Sequence, residues 1–95
     1  MDPGTANKHR LAELLAELEV ELDNVDALDD VGRARMCAVQ AEIARALERR
    51  DPEAPDVLAG LADPVQRSID EFEKTHPRLT FTLGRILDTL NKIGV

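Results

Sequence analysis

The chain has 95 residues, with 19 acidic side chains against 12 basic ones and a formal charge of −7. That balance works against duplex nucleic acid and anionic membranes as partners, since both need a basic footprint. The length sets one domain, and a single cysteine, Cys37, excludes an internal disulfide and fits a reducing compartment. The opening MDPGTANKHR lacks the apolar core of a secretion signal, and the longest apolar run, residues 57–62, is far too short to span a bilayer. The expected location is cytoplasmic. With no Trp or Tyr and a core mostly of Leu and Ala, so short a chain gains by sharing its core with a second copy.

Residues Met1 to Thr5, with Pro3 and Gly4, are expected to fray, and a first helix is expected over about 6–23 with Thr5 or Asn7 as its N-cap. Leu11, Leu15, Leu18, Leu22 and Val25 recur at steps of four and three, the seam of a coiled-coil-like hairpin, and Leu14 widens it. Asp23 to Asp30 forms a turn, in which Asp29 or Asp30 caps a second helix over about 30–50. The core stripe of that helix is Met36, Val39, Ile43, Ala46 and Leu47, with Cys37 at its edge as a small buried residue. Ala34, Ala38 and Ala41 make the opposite side smooth enough for a further helix to approach. Residues 13–30 carry eight acids and no base, whereas the second helix sets five arginines against two glutamates. Side by side in an antiparallel hairpin, the two segments complement each other in charge.

The Pro-rich stretch over 51–60 reads as a linker, with a helical turn near Val57 to Ala62. Asp63-Pro64-Val65-Gln66 then carries a helix start, with Asp63 as N-cap, Pro64 at the first position and Gln66 reaching back. A third helix follows to about Thr75 with the stripe Val65, Ile69 and Phe72, and Leu58 and Leu61 fall in phase upstream. His76-Pro77 breaks the chain. Over about 77–92 a fourth helix places Leu79, Leu83, Ile86, Leu87, Leu90 and Ile93 on one face. Gly94 is suited to stop it in a Schellman motif, with Leu90 meeting Val95. The run LTFTL from Leu79 to Leu83 also alternates at period two, as a strand would, but no second such run exists to pair with it. On the helix, Phe81 falls opposite the stripe among Arg78, Arg85, Asp88 and Lys92, where its ring stays wet unless another chain covers it.

The pattern Phe72-Glu73, His76-Pro77, Leu79, Leu83, Ile86, Leu90 and Ile93-Gly94-Val95 resembles the close of the bacterial domain-of-unknown-function 4404 family of short, acidic, helical proteins. The looser part of the likeness is a Leu-rich acidic helix, the Leu28-Asp29-Asp30 turn and a second helix in the same order. This resemblance implies helices and a bacterial source and brings no catalytic or binding residues. The chain departs from the family pattern in its Pro content over 51–60 and in having Phe81 where a smaller residue is expected.

Chemistry has little to work with. Glu73 and His76 stand three apart, as in Glu-x-x-His pairs of di-iron bundles, but those sites need the motif twice plus two further glutamates. The motif occurs once here, so only a dimer could supply the remainder, and Pro77 ends the helix at His76. Glu73 is therefore expected to be solvated, with His76 packed on the apolar stripe and bonded to a helix end. His9 and Glu13 are an i, i+4 surface pair. There is no zinc-spaced Cys/His cluster, no nucleophile elbow and no Gly-rich phosphate loop.

The sequence thus reads as all-α, two antiparallel helical hairpins resembling a four-helix bundle and open to completion by dimerisation. No enzyme activity, cofactor or small-molecule substrate is expected. The expected role is binding of another protein chain, first of all a second copy, as a homodimer. Its candidate surface is Phe81 with Arg78 and Arg85, or the seam Leu11, Leu15, Leu18 and Leu22. The alternatives are a small metal-binding bundle using Glu73 and His76, and an acidic inhibitor of a basic partner.

Overall fold

The computed structural model describes residues 3–24, 28–49 and 54–93. They form five helices: α1 (Pro3–Asn24), α2 (Asp30–Glu48), α3 (Ala54–Gly60), α4 (Ala62–Phe72) and α5 (Pro77–Ile93). No strand occurs among the described residues, so LTFTL is one turn of α5. The short α3 and α4 act together as one rod. Leu61 between them keeps helical dihedrals, its N–H bonding Leu58 O at 3.1 Å and its carbonyl accepting from Val65 N at 3.3 Å.

Four rods then close a ring. α1 lies antiparallel to α5, with residues 17–21 beside 77–85 and residues 7–10 beside 80–92. α5 turns back along α4 and reaches α3, α2 packs on α3 and α4, and α1 meets α2. The result is an up-and-down bundle, 39 Å long and 20 by 19 Å across.

Helix starts and stops follow local chemistry, with two corrections. Asp29 caps α2 as expected, its carboxylate accepting from Gly32 N at 2.7 Å. Thr5 and Asn7, however, lie inside α1, because Pro3 already begins it; a first helical residue needs no N–H and profits from a fixed φ. Asp63 does not cap α4 either. The helix continues out of α3 and begins two residues earlier than an Asp63 cap would set, at Ala62 after Leu61, which makes no side-chain cap bond. Gln66 correspondingly bonds forward, Nε2 donating to Asp70 Oδ1 at 3.1 Å. The linker expected over 51–60 is therefore helical from residue 54, and Leu58 on it is fully buried. Val25, residues 51–53 and the Gly94-Val95 stop lie outside the described residues.

The core is the expected stripes laid together. Leu11, Leu14, Leu15, Leu18 and Leu22 of α1 meet Leu79, Leu83, Ile86 and Leu90 of α5, with Met36, Val39, Ile43 and Ala46 from α2 and Val65 and Phe72 from α4. Leu47, Ile69, Leu87 and Ile93 are half-buried at its margin. At roughly 1.5 to 3 kcal/mol for each large side chain removed from water, this burial is the main stabilising contribution. Between α1 and α5, Arg85 Nη1 lies 3.1 Å from Glu17 Oε2, and Arg35 of α2 pairs with Glu71 of α4. From α2, Arg33 Nη1 donates to Leu22 O at 3.3 Å.

Gly32 of α2 lies close against Phe72 of α4. A Cβ there would stand 3.0 Å from Asp29 Oδ1 and Leu28 Cδ1 and 3.2 Å from Phe72 Cε1. At Gly84, inside α5, a Cβ would meet nothing within 4 Å. Gly32→Val should cost about 1 to 3 kcal/mol through overpacking and loss of the cap, and Gly84→Ala should gain up to about 1 kcal/mol from helix propensity. Urea unfolding followed by circular dichroism measures both, and equal signs would contradict this packing. Cys37 is exposed, correcting the expected burial: one position on from Met36, it turns out of the stripe into the shallow groove between α1 and α2. A maleimide should label it in the folded chain as readily as in urea, and protection until unfolding would show the thiol covered.

Candidate functional site

The expected interaction residues separate into two groups. Leu11, Leu15, Leu18 and Leu22 lie within the chain's own core, because α5 as well as α2 packs against α1. The seam is thus covered from within, which corrects its reading as a docking surface. Phe81, Arg78 and Arg85 do come together on the outer side of α5. Phe81 is 67% exposed, and it shares an open groove of about 640 Å³ with Val20 of α1, which is 58% exposed. Glu17 and Glu21 form the α1 wall of that groove; Pro77, Arg78, Thr82 and Arg85 form the α5 wall.

The arrangement is built rather than incidental. Helical spacing puts Arg78, Phe81 and Arg85 on one line, three and four residues apart. The Arg85 guanidinium stands 5.8 Å from the Phe81 ring centroid, within cation–π range, and is tied across the groove to Glu17 at 3.1 Å. Neither Arg78 nor Glu21 has an ion pair among the described residues. Asp88 and Lys92, further along the same side, pair with each other at 3.1 Å. Val20 escaped the sequence reading because only the antiparallel pairing of α1 with α5 brings it beside Phe81. Its outward position between the buried Leu18 and Leu22 was the available signal.

His76 lies at the corner between α4 and α5. Its ring meets Phe72 edge-on at 5.8 Å, and its Nδ1 is 2.9 Å from Thr75 Oγ1, so its bond goes to a neighbour in the turn rather than to a helix end. The His76 carbonyl accepts from Thr80 N at 3.0 Å and Thr80 Oγ1 at 3.1 Å, which holds the start of α5. His76 Nε2 is buried with no hydrogen-bond partner. Glu73 is exposed, and no group of three or more His, Cys, Asp or Glu side chains is placed to hold a metal ion among the described residues. Among the described residues the Glu73–His76 pair thus has no further ligands grouped with it.

Polar groups elsewhere in the core are consumed locally. Ser68, Thr82 and Thr89 are buried, and their hydroxyls donate to the carbonyls of Pro64, Arg78 and Arg85, one turn back, at 3.1, 3.3 and 2.9 Å. Among the described residues no helix is long and apolar enough to cross a membrane.

No curated protein and no solved structure matches the chain. A family profile described as a domain of unknown function (DUF4404) matches residues 11–95, from the first buried leucine of α1 to the end of the chain. The match covers nearly the whole chain, and the chain therefore belongs to the DUF4404 family.

Proposed function

We propose that the chain is a non-enzymatic protein-interaction module of the bacterial cytoplasm whose contact surface is centred on Phe81. The observation that carries this reading is a large aromatic ring 67% exposed beside a second exposed apolar side chain, Val20, on a bundle whose leucine stripes already pack against one another. Covering the ring yields roughly 1.5 to 3 kcal/mol, the order of an interface hot spot. Supporting it from the other side, the buried hydroxyls are engaged with backbone carbonyls, and the described acidic side chains form no metal-binding group. A reducing compartment suits the single exposed thiol.

Benzoylphenylalanine placed at position 81 keeps an aromatic side chain on the surface and reports what touches it. Irradiated in the native host, it should give protein adducts well above those from the same group at Glu42, an exposed position on α2. Equal or absent yields at position 81 would end the proposal. Because Phe81 contributes little to the core, Phe81→Asp should leave the unfolding free energy, measured at concentrations dilute enough for the single chain, within about 0.5 kcal/mol of the parent.

A further inference from the structure

We infer that the occupant of the Phe81 groove is a second copy of this chain, related by a two-fold axis that runs along the groove. The inference rests on the interaction reading above and adds the identity and register of the partner. On this face α1 and α5 run side by side and antiparallel, with Glu17 and Glu21 level with Phe81, Arg85 and Arg78. One wall is acidic around Val20, and the other is basic around Phe81.

A two-fold axis parallel to the helices leaves each residue at its own level and exchanges left for right. The Glu17, Val20 and Glu21 wall of one copy then lies over the Arg78, Phe81 and Arg85 wall of the other, and the reverse pairing follows by symmetry. Acid meets base on both sides, and each Phe81 ring covers the other copy's Val20. An axis perpendicular to the helices would instead lay α1 on α1 and α5 on α5, placing like charges together. Charge therefore selects one of the two isologous arrangements open to this face. Arg78 and Glu21, which have no ion pair within the chain among the described residues, would find one between copies. The area suffices as well: a stable dimer takes about 800 Å² from each partner, and one long side of a bundle 39 by 20 Å offers area of that order.

The test is sedimentation equilibrium of the full chain from micromolar to millimolar concentration, with circular dichroism to confirm that each variant remains helical. The parent should dimerise, and Phe81→Asp should weaken the dimer by about thirtyfold, as for a central interface anchor. Arg78→Glu and Glu21→Arg should each weaken it by about three- to fivefold, as for pairs at an interface rim. An equimolar mixture of those two variants should recover the parent affinity. So should the chain carrying both changes, because the new acid at position 78 then faces the new base at position 21 of the other copy. Failure of the doubly changed chain to recover, or a tighter dimer from Glu21→Arg alone, would overturn the register. A parent that stays monomeric throughout would overturn the second copy as occupant. Adducts from position 81 to a different protein would in that case leave the interaction reading standing.

Discussion

The apolar stripe of α5 is shared among its neighbours: Leu79, Leu83, Ile86 and Leu90 pack against α1 on one side and the α3–α4 rod on the other. Helix α2 closes the ring by resting on α1, α3 and α4, so its placement depends on rods that α5 has already brought together. The bundle is thus held by contact between the first and last helices, which are distant in sequence. Such pairing carries a loop-closure cost that local hairpins avoid. It also gives the family match a physical sense, since residues 11–95 run from the first buried leucine through the whole of α5. Removing either end would leave a leucine stripe facing water.

Electrostatics adds direction rather than strength. The Glu17–Arg85 pair is half-exposed, and pairs of this kind contribute about 0 to 1 kcal/mol. Its effect is geometric, because the same guanidinium lies at cation–π distance from Phe81, so one arginine links α1, α5 and the exposed ring. The net charge of −7 is carried mostly by solvated carboxylates, which makes a patch with basic residues on one wall stand out.

What was legible in the sequence was local. Heptad-like spacing identified the buried leucines of α1 and α5, an Asp preceding a helical run identified the α2 cap, and His76-Pro77 marked the α4–α5 corner. What was not legible was pairing between distant segments. Leu11 to Leu22 read as a seam for the second helix or for another chain, whereas α5 also covers it, because periodicity says which face is apolar and not what covers it. The α3 helix was hidden by Pro52 and Pro55, which read as linker chemistry, although Leu58 in phase with Val65 was the trace of it. Cys37 failed because one residue of rotation on a helix is about 100°, enough to move a side chain from the edge of a stripe into solvent.

Exposure alone does not distinguish Phe81, since Val31 is 66% exposed near the start of α2 and single apolar side chains on a surface are ordinary. What distinguishes it is company and order. Phe81 has Val20 across a groove and Arg85 beside the ring, and Arg85 is itself anchored by Glu17. An aromatic ring has few rotatable bonds, and one already flanked by an anchored cation has little freedom left to lose when another surface covers it. Binding at such a place keeps most of the free energy of burial. The proposed contact rests for this reason on the exposed ring of α5, while the large apolar groups among the described residues are mostly turned inward.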